Sequence, residues 1–222
     1  MTLRVSEIFF SLQGEGSRTG LPTIFVRLVG CPLRCTWCDT QYAFSGGTVI
    51  PIDAIIEKVA AFPVRRVCVT GGEPLAQKGC LVLMARLCDL GYDVCLETSG
   101  AQDVRPVDAR VSCIVDLKTP SSGEAERNFV LLADGGRSLA AKDEIKVVVA
   151  NRADYDWAKR QLAGHRLHLR CPVLFSPVAV TETYGGEGLD PRELADWILA
   201  DGLDARFQMQ LHKAIWGNIR GK

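Results

Sequence analysis

Gly30-Cys31-Pro32-Leu33-Arg34-Cys35-Thr36-Trp37-Cys38-Asp39-Thr40 is the stretch around which the rest of the chain is read. Its cysteines are separated by three and then two residues, so one short loop turns three thiolates toward one point. Three soft ligands in one loop suit an iron–sulfur cluster or a zinc ion. Structural zinc is four-coordinate and would need a further Cys or His, yet no second cysteine pair with zinc-finger spacing exists. The loop follows an apolar run, Thr23 to Val29, that reads as a buried strand with Ile24, Val26 and Leu28 on one face and Phe25, Arg27 and Val29 on the other. The thiolates therefore stand at a strand's C-terminal end, the functional end of parallel α/β folds. An arginine inside so apolar a strand is costly unless a carboxylate or other anion meets it, and a structural ion pair and a functional role fit equally at this point.

Composition narrows the class. A chain of 222 residues is expected to form one domain, 1–222, burying about 70% of the surface its unfolded form exposes. With zero formal charge, nothing in the composition suggests an electrostatic grip on nucleic acid, and none is expected as a partner. No apolar run approaches the ~20 residues of a membrane span, and the N-terminus lacks the apolar core of a signal peptide, so a cytoplasmic location is expected. Nine cysteines, six of them scattered among apolar residues, point to a reducing compartment.

Along the chain, the first twenty residues do not fit a helix. Ile8 to Leu12 is a short apolar run, and Gln13 to Ser17 reads as a loop. A helix is expected from about Asp53, with Ile52, Ile55, Ile56 and Val59 at helical spacing. Strands are expected at Val67 to Thr70, Asp93 to Glu97, Cys113 to Leu117, Glu144 to Val149, Val173 to Ser176 and Arg206 to Leu211. Helices are expected at Cys80 to Leu90, Glu124 to Ala133 and Asp154 to Leu162. A glycine-rich loop, Tyr184 to Gly188, precedes a last helix opened by Asp190-Pro191-Arg192-Glu193. Strands recurring with helices between them argue for βα units on a parallel sheet. About six parallel strands are too few for an eight-fold barrel, so the expected fold is α/β, an incomplete TIM-like βα barrel in which some connections, such as Thr98 to Ser112, are too short for a helix.

The cysteine loop, with Trp37 just before its last cysteine, resembles the radical S-adenosylmethionine superfamily. Thr70-Gly71-Gly72-Glu73-Pro74, at the end of the second expected strand, is weak by itself but falls where that superfamily carries a Gly-Gly-Glu motif. The resemblance implies a [4Fe-4S] cluster on Cys31, Cys35 and Cys38, whose fourth iron binds S-adenosylmethionine. It also implies that Gly71, Gly72 and Glu73 hold the cofactor's amino group. Thr36, Trp37 and Ser99 are candidate cofactor contacts beside Cys38. Ser99 belongs to Glu97-Thr98-Ser99-Gly100, which by periodicity alone reads equally well as a capped loop.

Five stretches together are similar to one family, the 7-carboxy-7-deazaguanine synthases. They are Ser11 to Gly16, Cys31 to Tyr42, Thr70 to Pro74, Asp116 to Gly123, and Gln210 to Lys213 with Trp216-Gly217. The first and last are not generic to the superfamily. The resemblance implies conversion of 6-carboxy-5,6,7,8-tetrahydropterin to 7-carboxy-7-deazaguanine with loss of ammonia. In the family a 5′-deoxyadenosyl radical abstracts hydrogen, the ring contracts, and the cofactor is regenerated. By the same resemblance Leu12, Gln13, Gly14 and Glu15 meet the pterin, Arg27 pairs with its carboxylate, and Thr70 faces it. Thr40 binds Mg2+, and Asp116, Leu117 and Lys118 contact S-adenosylmethionine. A homodimer and an external electron donor are implied as partners. Roles for Gln210 and His212 stay open. A glycyl-radical activase, which acts on a protein, and a zinc-stabilised binding module are the competing readings.

Overall fold

The computed structural model describes residues 1–179 and 188–222. Residues 184–187 of the glycine-rich stretch lie outside the described residues.

Alternating apolar side chains make the strands. In β2 (Pro22–Leu28), Ile24, Val26 and Leu28 are fully buried, each contributing about 1.5–3 kcal/mol of burial. Phe25 and Arg27 face the other way, as the two-residue period requires. The pattern repeats through β4 (Arg66–Gly71), β5 (Asp93–Thr98), β6 (Ser112–Leu117), β7 (Glu144–Val149) and β8 (Val173–Pro177). A two-residue β9 (Arg206–Phe207) follows. All seven are parallel neighbours in this order. Their buried alternate residues form one continuous core with α1 (Ile52–Ala60), α2 (Gly79–Asp89), α3 (Arg152–Gly164) and α4 (Pro191–Asp201). The opposite, inner face of the sheet bears the polar residues. This is the expected incomplete βα barrel: β5 passes to β6 with no helix between, and the sheet ends open at β9.

The N-terminal part adds what sequence did not show. Thr2–Leu12 is a strand, β1, antiparallel to β2, and Thr48–Pro51 is β3, antiparallel to β1 at the sheet's edge. Register shifts between Val5 and Glu7. Such a bulge breaks the two-residue alternation, which is why the run reads as neither strand nor helix. Leu3 and Val5 join the helix-side core, whereas Phe9 stacks on inner-face Phe25 with ring centroids 4.8 Å apart.

Two other expectations are corrected. Glu124 to Ala133 is not one helix but a 3-10 turn (Ala125–Arg127) and a π turn (Phe129–Ala133). Between them the Asn128 side chain donates to Lys118 O and Ala125 O and accepts from Lys118 N, each at 2.8 Å, so it satisfies backbone that a continuous helix would bond differently. Arg206 to Leu211 does not continue as a strand. Beyond Phe207 the chain leaves the sheet, and Leu211–Trp216 forms helix α5, whose first N–H donates to Gly14 O at 3.0 Å. Asp190 caps α4 through a 2.9 Å bond from Arg192 N, as its sequence signature predicts. No helix among the described residues is long and apolar enough to cross a membrane.

Candidate active site

The chain leaves β2 at Gly30 and enters the cysteine loop, which neighbouring strand ends hold from both sides. Glu73 N donates to Gly30 O at 2.8 Å and Thr36 N to Ser122 O at 3.1 Å. Thr36 Oγ1 donates to Ser121 O at 2.8 Å, and the Arg34 guanidinium closes the loop on Cys31 O and Leu33 O. Gly72 packs directly on this loop: a Cβ there would lie 2.4 Å from Gly30 O and 2.7 Å from Cys31 Cβ. Cys31, Cys35 and Cys38 are half-buried thiols outside any disulfide, lining one cavity of about 530 Å³, a size typical of small-molecule sites. Burial pushes all three thiols up, Cys38 to about 11, so metal loading must displace their protons.

Glu73 stays behind the cavity wall. It is fully buried, and its carboxylate accepts from Leu75 N, the Thr98 hydroxyl, and both N–H and hydroxyl of Ser99. It thus fastens the end of β4 to the end of β5 and sets Ser99 at the cavity edge, a different task from holding an amino group directly. Leu117 is likewise buried in the core, and Thr36 is spent on the 121–122 backbone; neither lines the cavity.

The inner face supplies the floor. Thr70 Oγ1 donates to Glu97 Oε2 at 2.7 Å, and Gln13 Nε2 reaches Glu97 Oε1 at 3.2 Å. Lys146 of β7 bonds Glu15 Oε2 at 2.7 Å and lies 3.2 Å from Asp116 Oδ1, while Lys118 holds Asp116 Oδ2 at 2.5 Å. Burial opposes the charge of Glu15 and Asp116, but the neighbouring lysines outweigh it and hold both carboxyls below their usual range. Arg27 donates Nε to Glu7 Oε1 at 2.8 Å, and among the described residues its two Nη groups carry no hydrogen bond. The ion-pair reading of Arg27 therefore holds for one edge of the guanidinium and leaves the other for a ligand.

The two ends of the chain close the site. His212 Nδ1 sits 2.0 Å from where a Cβ on Gly14 would be, Gln210 Nε2 donates to Glu15 Oε1 at 2.7 Å, and Lys213 bonds Asp39 at 2.6 Å. Residues 217–222 run on along the cavity wall.

Of the residues singled out from sequence, Leu12, Gln13, Gly14, Glu15, Arg27, Trp37, Thr40, Thr70, Gly71, Gly72, Ser99, Asp116 and Lys118 line this one cavity with the three cysteines. Glu97 and Lys146 were missed as site residues. Lys146 carries the signal that marked Arg27, a cation within an apolar strand. The donor set fits the cofactors such a loop serves. Cys31, Cys35 and Cys38 bring three soft thiolates to one cavity, a donor set that suits an iron–sulfur cluster. Ser176 Oγ, buried at the cavity wall with no partner among the described residues, is a polar atom that a ligand would satisfy. Thr40 spends its proton on Asp39 Oδ1 at 2.8 Å, which keeps its oxygen lone pairs for a hard cation such as Mg2+.

A partial βα barrel with a three-cysteine loop at the end of its first parallel strand defines the radical S-adenosylmethionine class, and the model of the radical SAM superfamily matches residues 25–110. Relatives named 7-carboxy-7-deazaguanine synthase are 47% identical in Chlorobaculum tepidum, over 96% of this chain and 94% of that protein, and 43% identical in Koribacter versatilis, over 96% and 97%. The chain belongs to the 7-carboxy-7-deazaguanine synthase family. In fold it matches the crystal structure of QueE from Escherichia coli, with a TM-score of 0.73 at 24% identity over 96% of this chain and 95% of that one. Streptococcus suis SuiB bound to S-adenosylmethionine has a TM-score of 0.58 at 15% identity, covering 83% of this chain and 49% of that one.

Proposed function

We propose a division of labour around this cavity for the conversion of 6-carboxy-5,6,7,8-tetrahydropterin to 7-carboxy-7-deazaguanine with release of ammonia. The chain is a radical S-adenosylmethionine enzyme of 7-deazaguanine biosynthesis, with a [4Fe-4S] cluster, S-adenosylmethionine and Mg2+ as cofactors. When bound, the cluster and S-adenosylmethionine supply the hydrogen-abstracting radical. The observation that carries the assignment is Arg27. Glu7 fixes its Nε edge, so the remaining N–H groups present a fork toward the cavity that suits a planar carboxylate. Gln13, Gly14 and Glu15 offer amide and carboxylate groups to a pterin edge, and Lys146 and Glu97 hold Glu15 and Gln13 in place. Cys31, Cys35 and Cys38 hold three irons. Gly71, Gly72, Ser99, Asp116 and Lys118, which line the same cavity as the cysteine loop, meet S-adenosylmethionine, as does Trp37. Thr40 offers its oxygen to Mg2+. We further read the chain as one domain that works in the cytoplasm as a homodimer and takes electrons from an external donor.

The test is anaerobic. Reconstituted enzyme given S-adenosylmethionine, Mg2+, a reductant and the tetrahydropterin is expected to form 7-carboxy-7-deazaguanine in excess over S-adenosylmethionine lost, read by mass spectrometry. Formation of 5′-deoxyadenosine without that product would discard the substrate and keep the class.

Arg27→Ala is expected to raise KM for the carboxylated substrate by about 10–100-fold, the worth of a charge-assisted hydrogen bond. Binding of a tetrahydropterin that lacks the carboxylate should change little, and titration of both ligands against the variant checks it.

A further inference from the structure

One charged cluster beside the cavity includes a residue that no motif marked. Glu7 sits on β1 opposite Arg27, and its side chain is 15% exposed. Oε1 accepts from Arg27 Nε at 2.8 Å and from the Tyr42 hydroxyl at 2.9 Å, while Oε2 accepts from Arg220 Nε at 2.9 Å. Arg220 comes from the other end of the chain, and its guanidinium also lies 4.2 Å from the Tyr42 ring centroid. The Arg27 guanidinium itself lies 5.7 and 5.9 Å from the ring centroids of Phe9 and Tyr42.

The backbone shows how Glu7 comes to face this way. Val5 points into the helix-side core, and in a regular strand Glu7 would share its face. The bulge between them turns Glu7 to the inner face, in line with Phe9 and opposite Arg27. A bulge that places one carboxylate between two arginines from distant parts of the chain is a positioning device.

We propose that Glu7 is a positioning residue: bridging Arg27 and Arg220, it orients the Arg27 fork and ties the C-terminal tail over the cavity, so that the pocket for the substrate carboxylate is assembled only with the tail docked. This rests on the assignment of Arg27 to that carboxylate. The charges agree with it. Two arginines around one carboxylate leave a net positive charge at the wall, where an anionic ligand is to be held. Burial works against ionisation of Glu7, but its bonds to Arg220, Arg27 and Tyr42 prevail and hold its pKa below the usual range, so the bridge is charged at neutral pH.

The experiment uses reconstituted full-length enzyme with three variants. Glu7→Gln is expected to raise KM for 6-carboxy-5,6,7,8-tetrahydropterin about tenfold while kcat changes by less than about threefold. Glu7→Asp, which keeps the charge, is expected to recover most of that loss. Arg220→Ala should raise KM less, and the Glu7→Gln/Arg220→Ala double variant should be no worse than Glu7→Gln alone, since both break one bridge. Without any substrate, tryptic cleavage after Arg220 should be faster in Glu7→Gln than in the parent. An unchanged KM in Glu7→Gln, beside a raised KM in Arg27→Ala, overturns the positioning role. Cleavage at the parent rate overturns the tie to the tail. An unchanged KM in Arg27→Ala overturns the carboxylate assignment instead, and the cleavage rates then still decide whether Glu7 ties down the tail.

Discussion

Lys146→Met is expected to lower the midpoint of thermal unfolding by roughly 6–12 °C at neutral pH, the equivalent of about 3 kcal/mol in a chain of this size. Lys146 stands between Glu15 and Asp116 at 2.7 and 3.2 Å, and the three side chains are only 11–17% exposed. Removing the cation leaves Asp116 with Lys118, but among the described residues it leaves Glu15 with an amide, Gln210, as its only other side-chain hydrogen-bond donor. An uncompensated buried carboxylate is the costly outcome, more so than loss of the pair as such. The pH dependence separates this cause from simple loss of packing. Burial opposes the charge on Lys146, yet the surrounding carboxylates raise its pKa well above 10.5, so its contribution is fully present below that value and is lost as pH rises through the folded pKa. Glu15 and Asp116 are depressed below 4.5 and 3.8, so their contribution is present above those values and is lost as pH falls through the folded ones. The gap between parent and variant should therefore be broad across neutral pH and narrow on acidification, where protonation of Glu15 removes the stranded charge. A gap that stays constant down to pH 4 in thermal melts would assign the loss to packing.

What made the barrel legible was the recurrence of short, mostly apolar runs. Val67 to Thr70, Cys113 to Leu117 and Glu144 to Val149 are dominated by Val, Ile, Leu and Cys, and parallel strands under helices have that character. Arg27 stood out because a cation in such a run needs a reason. Lys146, within Glu144-Ile145-Lys146-Val147-Val148-Val149, offered the same signal and forms part of the site floor. Glu7 was hidden for a different reason: a bulge shifts side chains by one position, and a pattern search assumes that none is inserted. The C-terminal contacts were hidden by distance. Lys213 meets Asp39 across 174 residues, and nothing local in Gln210-Leu211-His212-Lys213 says whether it pairs with a strand or turns into a helix over the N-terminal loop.

Glu73 shows how the backbone and the side chain of one motif divide the work between them. Read from its turn it is a cofactor ligand, yet its carboxylate is consumed by Leu75, Thr98 and Ser99. What reaches the cavity from that turn is backbone, and this puts the burden on the glycines before it. Gly72→Ala is accordingly expected to reduce the iron held after reconstitution toward the level of Cys31→Ala, and to lower product formation by at least about 100-fold. The added methyl would lie 2.4 Å from Gly30 O and 2.7 Å from Cys31 Cβ, and neither is the end of a flexible side chain. The Glu73 N to Gly30 O bond would have to lengthen, moving the first cysteine away from the other two. Because the helix-side core lies elsewhere, the fold should persist. Far-ultraviolet circular dichroism near that of the parent, together with lost visible absorbance and lost iron, is the expected signature. Full iron content with impaired turnover would mean that the loop accommodates the methyl, and that Gly72 acts on S-adenosylmethionine rather than on the position of Cys31.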